Sequence, residues 1–210
     1  MTSRFILSMI ALTLLAGCAL SEDKVALRYV PTTSSASVEA AKGLQINLDV
    51  VDARTTNRTV ISRKINGYGM EMAAIRATQN PTELVERALK QELRSRGFDV
   101  GNSGLSVTAK LNEFYNQYEV GFFTGSAVSN VVVHILVGDT VAPSFDKTFS
   151  ANQTDEVVLA DGANAKAALE AALGKVVSEV MANPDFMNAL VNKADSQTPE
   201  VTPSSEDVTS

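Results

Sequence analysis

The stretch "AKAALEAALGKVVSEVM", residues 165–181, decides the fold of this 210-residue chain. Its apolar residues recur every three or four positions, which predicts a helix with one face packed on a core. In that orientation Glu170, Lys175 and Glu179 point into solvent. The apolar stripe consists of Ala165, Ala168, Leu169, Ala172, Leu173, Val176, Val177, Val180 and Met181.

The many alanines of this helix allow close packing, either on a sheet of the same chain or on a second copy. We favour the core of the same chain. Asn183-Pro184 breaks the helical pattern and starts a short second helix through Phe186 and Leu190.

The first half of the chain has strand patterns followed by one clear helix. Alternating apolar residues over 44–50 predict a half-buried strand. Residues 58–65 and 70–76 are weaker strand candidates, and Asn66-Gly67 between them is a hairpin-turn signal.

Capping signals place the helix that follows. Asn80 is the expected N-cap, Pro81 suits the first helical position, and Glu83 stands where a capping-box acid belongs. Gly97 is placed to end the helix, with Phe98 packing back on its last turn.

Further strands fill the second half. Alternation over 105–111 continues through "NEFYNQYEV", residues 112–120, and residues 145–151 give another strand. The run 126–139 is apolar on nearly both faces, which places it inside the sheet. The order of strands, helix, strands and helix predicts an α+β fold: a mostly antiparallel sheet with two main helices packed on one face.

The first residues read as a targeting segment. Arg4 precedes an apolar run of about twelve residues, too short to span a bilayer, which needs roughly 20. Leu15-Ala16-Gly17-Cys18 resembles the lipobox of bacterial lipoproteins at all four positions. The resemblance implies that Cys18 carries the acyl chains of a membrane anchor. Ala19 and Leu20, instead of an Asp after the cysteine, imply sorting to the outer membrane, facing the periplasm.

Composition divides the chain into four parts. Residues 1–17 form the predicted lipoprotein signal peptide, and residues 18–42 form the lipidated cysteine and a tether. An α+β periplasmic domain over 43–194 is followed by a disordered acidic tail over 195–210. Within the tether, residues 25–30 are a candidate edge strand.

Little in the composition supports catalysis. The net charge of −6 without a basic cluster argues against nucleic-acid binding. His134 is the sole histidine, it lies inside a strand pattern, and Cys18 is the sole cysteine. Asp155 and Glu156 would point to opposite faces of a strand. We therefore predict no enzyme activity, no catalytic residues, no metal site and no cofactor.

Two stretches are candidates for binding. Residues 114–125 are rich in aromatic side chains and glycine, and we predict a binding rim for lipid or a partner that includes Tyr115, Tyr118, Phe122 and Phe123. Core packing of these rings is the competing interpretation. Asp52-Ala53-Arg54 follows the first predicted strand, where an Asp–Arg pair could clamp a turn.

The lipobox, "LDVVDARTTNRTVISR" (48–63), "LVERALKQELRSRGFDVGNSG" (84–104) and the alanine-rich closing helix together resemble the YajG-like family of bacterial lipoproteins. That resemblance implies outer-membrane attachment on the periplasmic side and supplies no established reaction. We expect a non-enzymatic module that binds an envelope protein and the membrane through its acyl chains. The alternative is a module that binds or transfers lipids or other apolar ligands. A closed apolar cavity would favour the alternative, and an exposed patch would favour protein binding.

Overall fold

A computed structural model describes residues 20–31 and 38–195 of the chain. Cys18, the predicted signal peptide and the predicted tail from residue 196 onward lie outside the described residues. In chain order the elements are β1 (Asp23–Val25), a short 3-10 helix (Glu39–Ala41), β2 (Gln45–Asp52), β3 (Ser62–Ile65), β4 (Glu71–Ala77), α1 (Pro81–Ser95), β5 (Asp99–Gly101), β6 (Leu105–Glu119), β7 (Gly125–Gly138), β8 (Pro143–Val157), α2 (Gly162–Ala182) and α3 (Pro184–Asp195).

Five strands form the main sheet, in the order β5-β2-β6-β7-β8. The long strands β6, β7 and β8 are antiparallel, whereas β2 runs parallel to both of its neighbours. The α+β class is confirmed, and the sheet is mixed. β2 and β5 are parallel because the chain crosses over between them through α1.

The helices lie together on one face of the main sheet. α2 packs on β6, β7 and β8, while α1 packs on β2 and β5 and touches α2. Leu169, Leu173 and Val176 are fully buried, as their spacing predicts. Glu170 differs from expectation, since it is half-buried and accepts a hydrogen bond of 2.6 Å from the Arg28 backbone N–H. No helix of the described residues is both long and apolar enough to cross a bilayer.

α1 begins and ends where its capping signals indicate. The Asn80 side chain accepts the Thr82 N–H at 3.0 Å, and Pro81 is the first helical residue. After the last turn Gly97 has φ +106°, and the Phe98 N–H bonds the Leu93 carbonyl at 3.2 Å. This is the C-terminal arrangement that favours glycine, because a side chain strains the backbone at positive φ.

A smaller sheet, in the order β1-β4-β3, packs beside β6 and the start of α2. Its strand β3 is shorter than the predicted 58–65, because the carbonyls of Arg58 and Thr59 bind arginine side chains instead of a neighbouring strand. The Arg58 carbonyl accepts from Arg54 at 3.2 Å, and the Thr59 carbonyl accepts from Arg76 at 2.7 Å.

Part of the predicted tether is packed on the domain. Asp23–Val25 forms β1 at the edge of the smaller sheet, and Leu27 is 4% exposed. The Asp23 carboxylate pairs with the buried Lys64 ammonium at 2.8 Å, and the Tyr29 hydroxyl donates to Glu92 at 2.9 Å. The ordered domain therefore begins well before residue 43.

Candidate binding surfaces

Three connections converge at one end of the main sheet and expose apolar side chains. They are the β3–β4 hairpin, the β6–β7 hairpin and the β8–α2 connection. We call this group the end surface; it comprises Tyr68, Met70, Val120, Phe122, Phe123, Val158 and Leu159. Residues of all three connections line one open depression of about 360 Å³.

The β6–β7 hairpin holds the two most prominent rings. Phe122 and Phe123 are 93% and 90% exposed, and their rings meet edge to face with centroids 4.6 Å apart. Both flanking glycines are required by close backbone approach. A Cβ on Gly121 would lie 1.9 Å from the Thr124 carbonyl oxygen, and one on Gly125 would lie 2.5 Å from the Glu119 carbonyl oxygen. The tight turn therefore presents both rings to the outside.

The β3–β4 hairpin is held by the Asn66 side chain. Its carbonyl oxygen accepts the backbone N–H groups of Tyr68 and Met70, each at 3.0 Å. The predicted Asn66-Gly67 turn is confirmed as a hairpin connection, although the residue with positive φ is Gly69. A Cβ built on Gly69 would touch Val120 at 3.4 Å, which shows that this hairpin adjoins the β6–β7 hairpin.

Two residues of the predicted aromatic rim have other roles. Tyr118 lines the depression but is largely buried, because its ring packs in the core and its hydroxyl donates to the Asp161 carbonyl. Burial also raises the pKa of its hydroxyl. Tyr115 is half-buried on the outer face of β6 near Glu71 and Arg63 and does not line the depression.

The sequence patterns above did not indicate the members of the end surface outside the β6–β7 connection. Val158 and Leu159 directly follow a strand, and Tyr68 and Met70 flank a turn glycine. Large apolar residues at such positions are the signal that could have found them, because connections usually expose polar residues.

The Asp52–Arg54 pair clamps a turn, as one interpretation of the sequence predicted. The Arg54 guanidinium is buried and binds both Asp52 carboxylate oxygens at 2.9 Å. It also donates to the carbonyls of Asn57 and Arg58. The hydrogen bonds from Arg54 lower the pKa of Asp52 to about 2. The guanidinium therefore makes its hydrogen bonds within the protein, and the Asp52–Arg54 pair has a structural role.

A groove runs beside the outer edge of β8, which we call the β8 groove. It is lined by Lys147, Thr148, Phe149, Ser150, Glu179, Ala182, Asn183 and Pro184, and its volume is about 470 Å³. β8 pairs only with β7 in the described part of the chain, so its other edge has no strand beside it. The Phe149 ring at its floor stacks on Phe145, and the Lys147 ammonium lies 5.4 Å from the Phe149 ring centre.

Three further titratable groups, those of His134, Tyr29 and Asp23, are engaged in structural contacts. His134 Nε2 lies 2.7 Å from an Asp146 oxygen on the outer face of the sheet. Burial and a hydrogen bond to Glu92 raise the pKa of Tyr29. Burial would raise the pKa of Asp23, but Lys64 and the Gly162 N–H outweigh it and lower that pKa. Within residues 20–31 and 38–195, no three His, Cys, Asp or Glu side chains are placed to hold a metal ion.

Comparison with known proteins identifies the class. A family described as "Uncharacterized lipoprotein" matches residues 31–191, about three quarters of the chain, and this protein belongs to that family. Membership indicates a membrane-anchored protein of the cell envelope. No curated protein matches the chain.

One solved structure shares the fold, and a second is less similar. Protein XCC0632 from Xanthomonas campestris, assigned to the family DUF330, is similar over 85% of this chain and 99% of its own, with 17% identity and a TM-score of 0.54. A minor lipoprotein from Acinetobacter baumannii is similar over 69% of this chain and 94% of its own, with 9% identity and a TM-score of 0.44.

Proposed function

We propose that this lipoprotein is a YajG-like, non-enzymatic module that is anchored through Cys18 in the outer membrane, faces the periplasm and binds another envelope protein. The observation that carries the proposal is the β8 groove, where a strand of 15 residues has one edge with no strand beside it among the described residues; on β8 the Asn152 carbonyl accepts from Lys175 at 3.2 Å. Such an edge offers backbone N–H and C=O groups to an extended segment of a partner, which would add as a further strand.

The side chains along β8 suit a neutral partner segment. Those on the outer face are exposed and carry hydroxyl or amide groups over the middle of the strand: Thr148, Ser150, Asn152 and Thr154. Asp146 and Glu156 lie toward its two ends. Charged residues on an edge strand discourage pairing between identical copies, while hydroxyl and amide groups can bond to many partners.

The non-enzymatic role is supported by what the described titratable groups do. Asp52 is held by Arg54, Asp23 by Lys64, and Glu92 by Arg96 at 2.7 Å. An active site requires groups with shifted pKa values that face a substrate. Here the carboxyl groups of Asp52 and Asp23, whose pKa values are lowered, face arginine or lysine side chains that hold a turn and a strand in place.

Site-specific photo-crosslinking in intact cells tests the proposal with the full-length lipoprotein. A photoreactive phenylalanine analogue replaces Ser150 in the β8 groove. The matched control replaces Arg87, which is on the exposed face of α1 and is 58% exposed. We expect one discrete protein adduct from position 150 and none from position 87. No adduct at position 150, or the same adducts at both positions, would contradict the proposal.

The second candidate function is binding or transfer of lipids or other apolar ligands. The depression at the end surface favours it, since its mouth carries exposed phenylalanine rings. It is open, however, whereas small-molecule sites usually enclose most of the ligand. Native mass spectrometry of protein gently extracted from membranes distinguishes the two functions. A stoichiometric non-covalent lipid would favour the ligand-binding function over the protein-binding one.

A further inference from the structure

We infer that the end surface rests on the bilayer that holds the lipid anchor, so that the domain stands on the membrane with its strands upright. The inference rests on the proposed anchor at Cys18. It follows from the place where the N-terminal segment leaves the fold, from the length of chain between that place and Cys18, and from the chemistry of the end surface.

The pairing of β1 gives the direction in which the chain leaves the fold. β1 is parallel to β4, with Asp23 opposite Ile75 and Val25 opposite Ala77. Residues that precede Asp23 therefore run toward the beginning of β4. That beginning is the β3–β4 hairpin, which carries Tyr68 and Met70 of the end surface.

Contacts with α2 give the same direction independently. The Gly162 N–H, at the start of α2, donates to the Asp23 carboxylate at 2.8 Å. Farther along the helix, Lys166 donates to the Ala26 carbonyl at 2.7 Å. The segment thus runs alongside α2 from its N-terminus onward, and the residues before Asp23 point past that N-terminus. The connection just before α2 contains Val158 and Leu159 of the end surface.

The chain available between the fold and the anchor is short. Leu20 is the first residue of the described segment, and only Ala19 separates it from Cys18. Two residue steps span at most about 7 Å of extended chain. A bilayer that holds acyl chains on Cys18 therefore lies within about 10 Å of Leu20, on the side of the domain where the end surface is exposed.

The chemistry of the end surface suits a lipid surface. It combines two phenylalanines and a tyrosine with aliphatic side chains, the composition of loops and helices that insert at the interface of a bilayer. Of the described residues that line its depression, Glu119 alone carries a charge. Contact should therefore depend on apolar insertion and not on anionic lipid headgroups.

Tryptophan fluorescence tests the orientation, because the chain contains no natural tryptophan. The full-length lipidated protein is reconstituted into phosphatidylethanolamine–phosphatidylglycerol vesicles, with and without brominated acyl chains. Phe123→Trp and Leu159→Trp report on two separate connections of the end surface. Val141→Trp is the matched control, since Val141 is 92% exposed in the β7–β8 connection, about 45 Å away along β8.

We expect brominated chains to quench the emission of Phe123→Trp and Leu159→Trp at least about twofold and to leave Val141→Trp nearly unchanged. Vesicle flotation of each variant tests the anchor separately. Variants that float with no quenching at either end-surface position overturn the orientation and leave the anchor intact. Equal quenching at all three positions also overturns it. Protein that does not float overturns the anchor, and the orientation with it.

Discussion

At the scale of single residues, Arg54 contributes most clearly to stability. Its guanidinium binds Asp52 and two backbone carbonyls while buried. Arg54→Ala should lower the free energy of unfolding by about 2–3 kcal/mol, because it removes charge-assisted hydrogen bonds together with the packing of the buried side chain. Arg58→Ala is the control, since Arg58 is 59% exposed and contacts the same carboxylate at 3.4 Å. It should cost about 1 kcal/mol or less. Urea unfolding measures both, and similar losses would contradict a dominant role for Arg54.

The same carboxylate predicts a pH dependence. Hydrogen bonds from Arg54 hold the pKa of Asp52 at about 2 in the folded protein, below its ordinary value of 3.8. A lowered pKa stabilises the fold above the ordinary value, and this stabilisation is lost as the pH falls toward 2. Asp52→Asn should therefore be less stable than the wild type by about 2 kcal/mol near pH 6. Unfolding curves from pH 6 to pH 2 should show the difference shrinking; a constant difference would contradict the assignment.

At the scale of elements, the orientation of α2 determines the core. Leu173 is fully buried, whereas Lys175 is exposed and donates to the Asn152 carbonyl at 3.2 Å. Leu173→Ala should cost about 2–5 kcal/mol because it leaves a cavity. Lys175→Ala should cost about 1 kcal/mol or less. Both substitutions keep high helix propensity, so burial accounts for the difference. Denaturant unfolding measures the stability loss of both variants. Equal losses would mean that the Leu173 face of α2 does not pack in the core.

At the scale of the whole molecule, the two proposed surfaces face different directions. Ser150 in the β8 groove is eight residues from Val158 on the end surface, or about 26 Å along the strand. A domain that rests on its end surface would therefore hold the β8 groove clear of the membrane, open to a partner in the periplasm.

This arrangement depends on the lipid anchor, so we predict the effect of removing the anchor. Cys18→Ser should abolish labelling with radioactive palmitate and leave the signal peptide uncleaved, because the cysteine sulfur is the acylation site that the lipobox implies. Membrane fractionation and mass spectrometry of the N-terminus measure both effects. Normal lipid labelling of the variant would show that the anchor lies elsewhere.

The sequence by itself determined the elements whose signals are local. The α2 stripe, the Asn80 and Gly97 caps and the alternation along β6 each depend on residues within a few positions, so periodicity and backbone preference suffice to predict them. The lipobox is local in the same sense. The Asp52–Arg54 clamp could also be predicted from the sequence, because its two residues are only two positions apart.

Only the tertiary structure decided which residues from distant parts of the chain meet. Tyr118 and Phe122 belong to the same aromatic stretch, yet Tyr118 is buried under Asp161 while Phe122 is exposed at the hairpin tip. The end surface joins three connections that span more than 90 residues of sequence. The segment around Asp23 is polar, and its composition predicts a tether. It packs on the domain instead, because Lys64 and the Gly162 N–H bind the Asp23 carboxylate. Burial and pairing of this kind depend on how the sheets and helices pack, which no local pattern encodes.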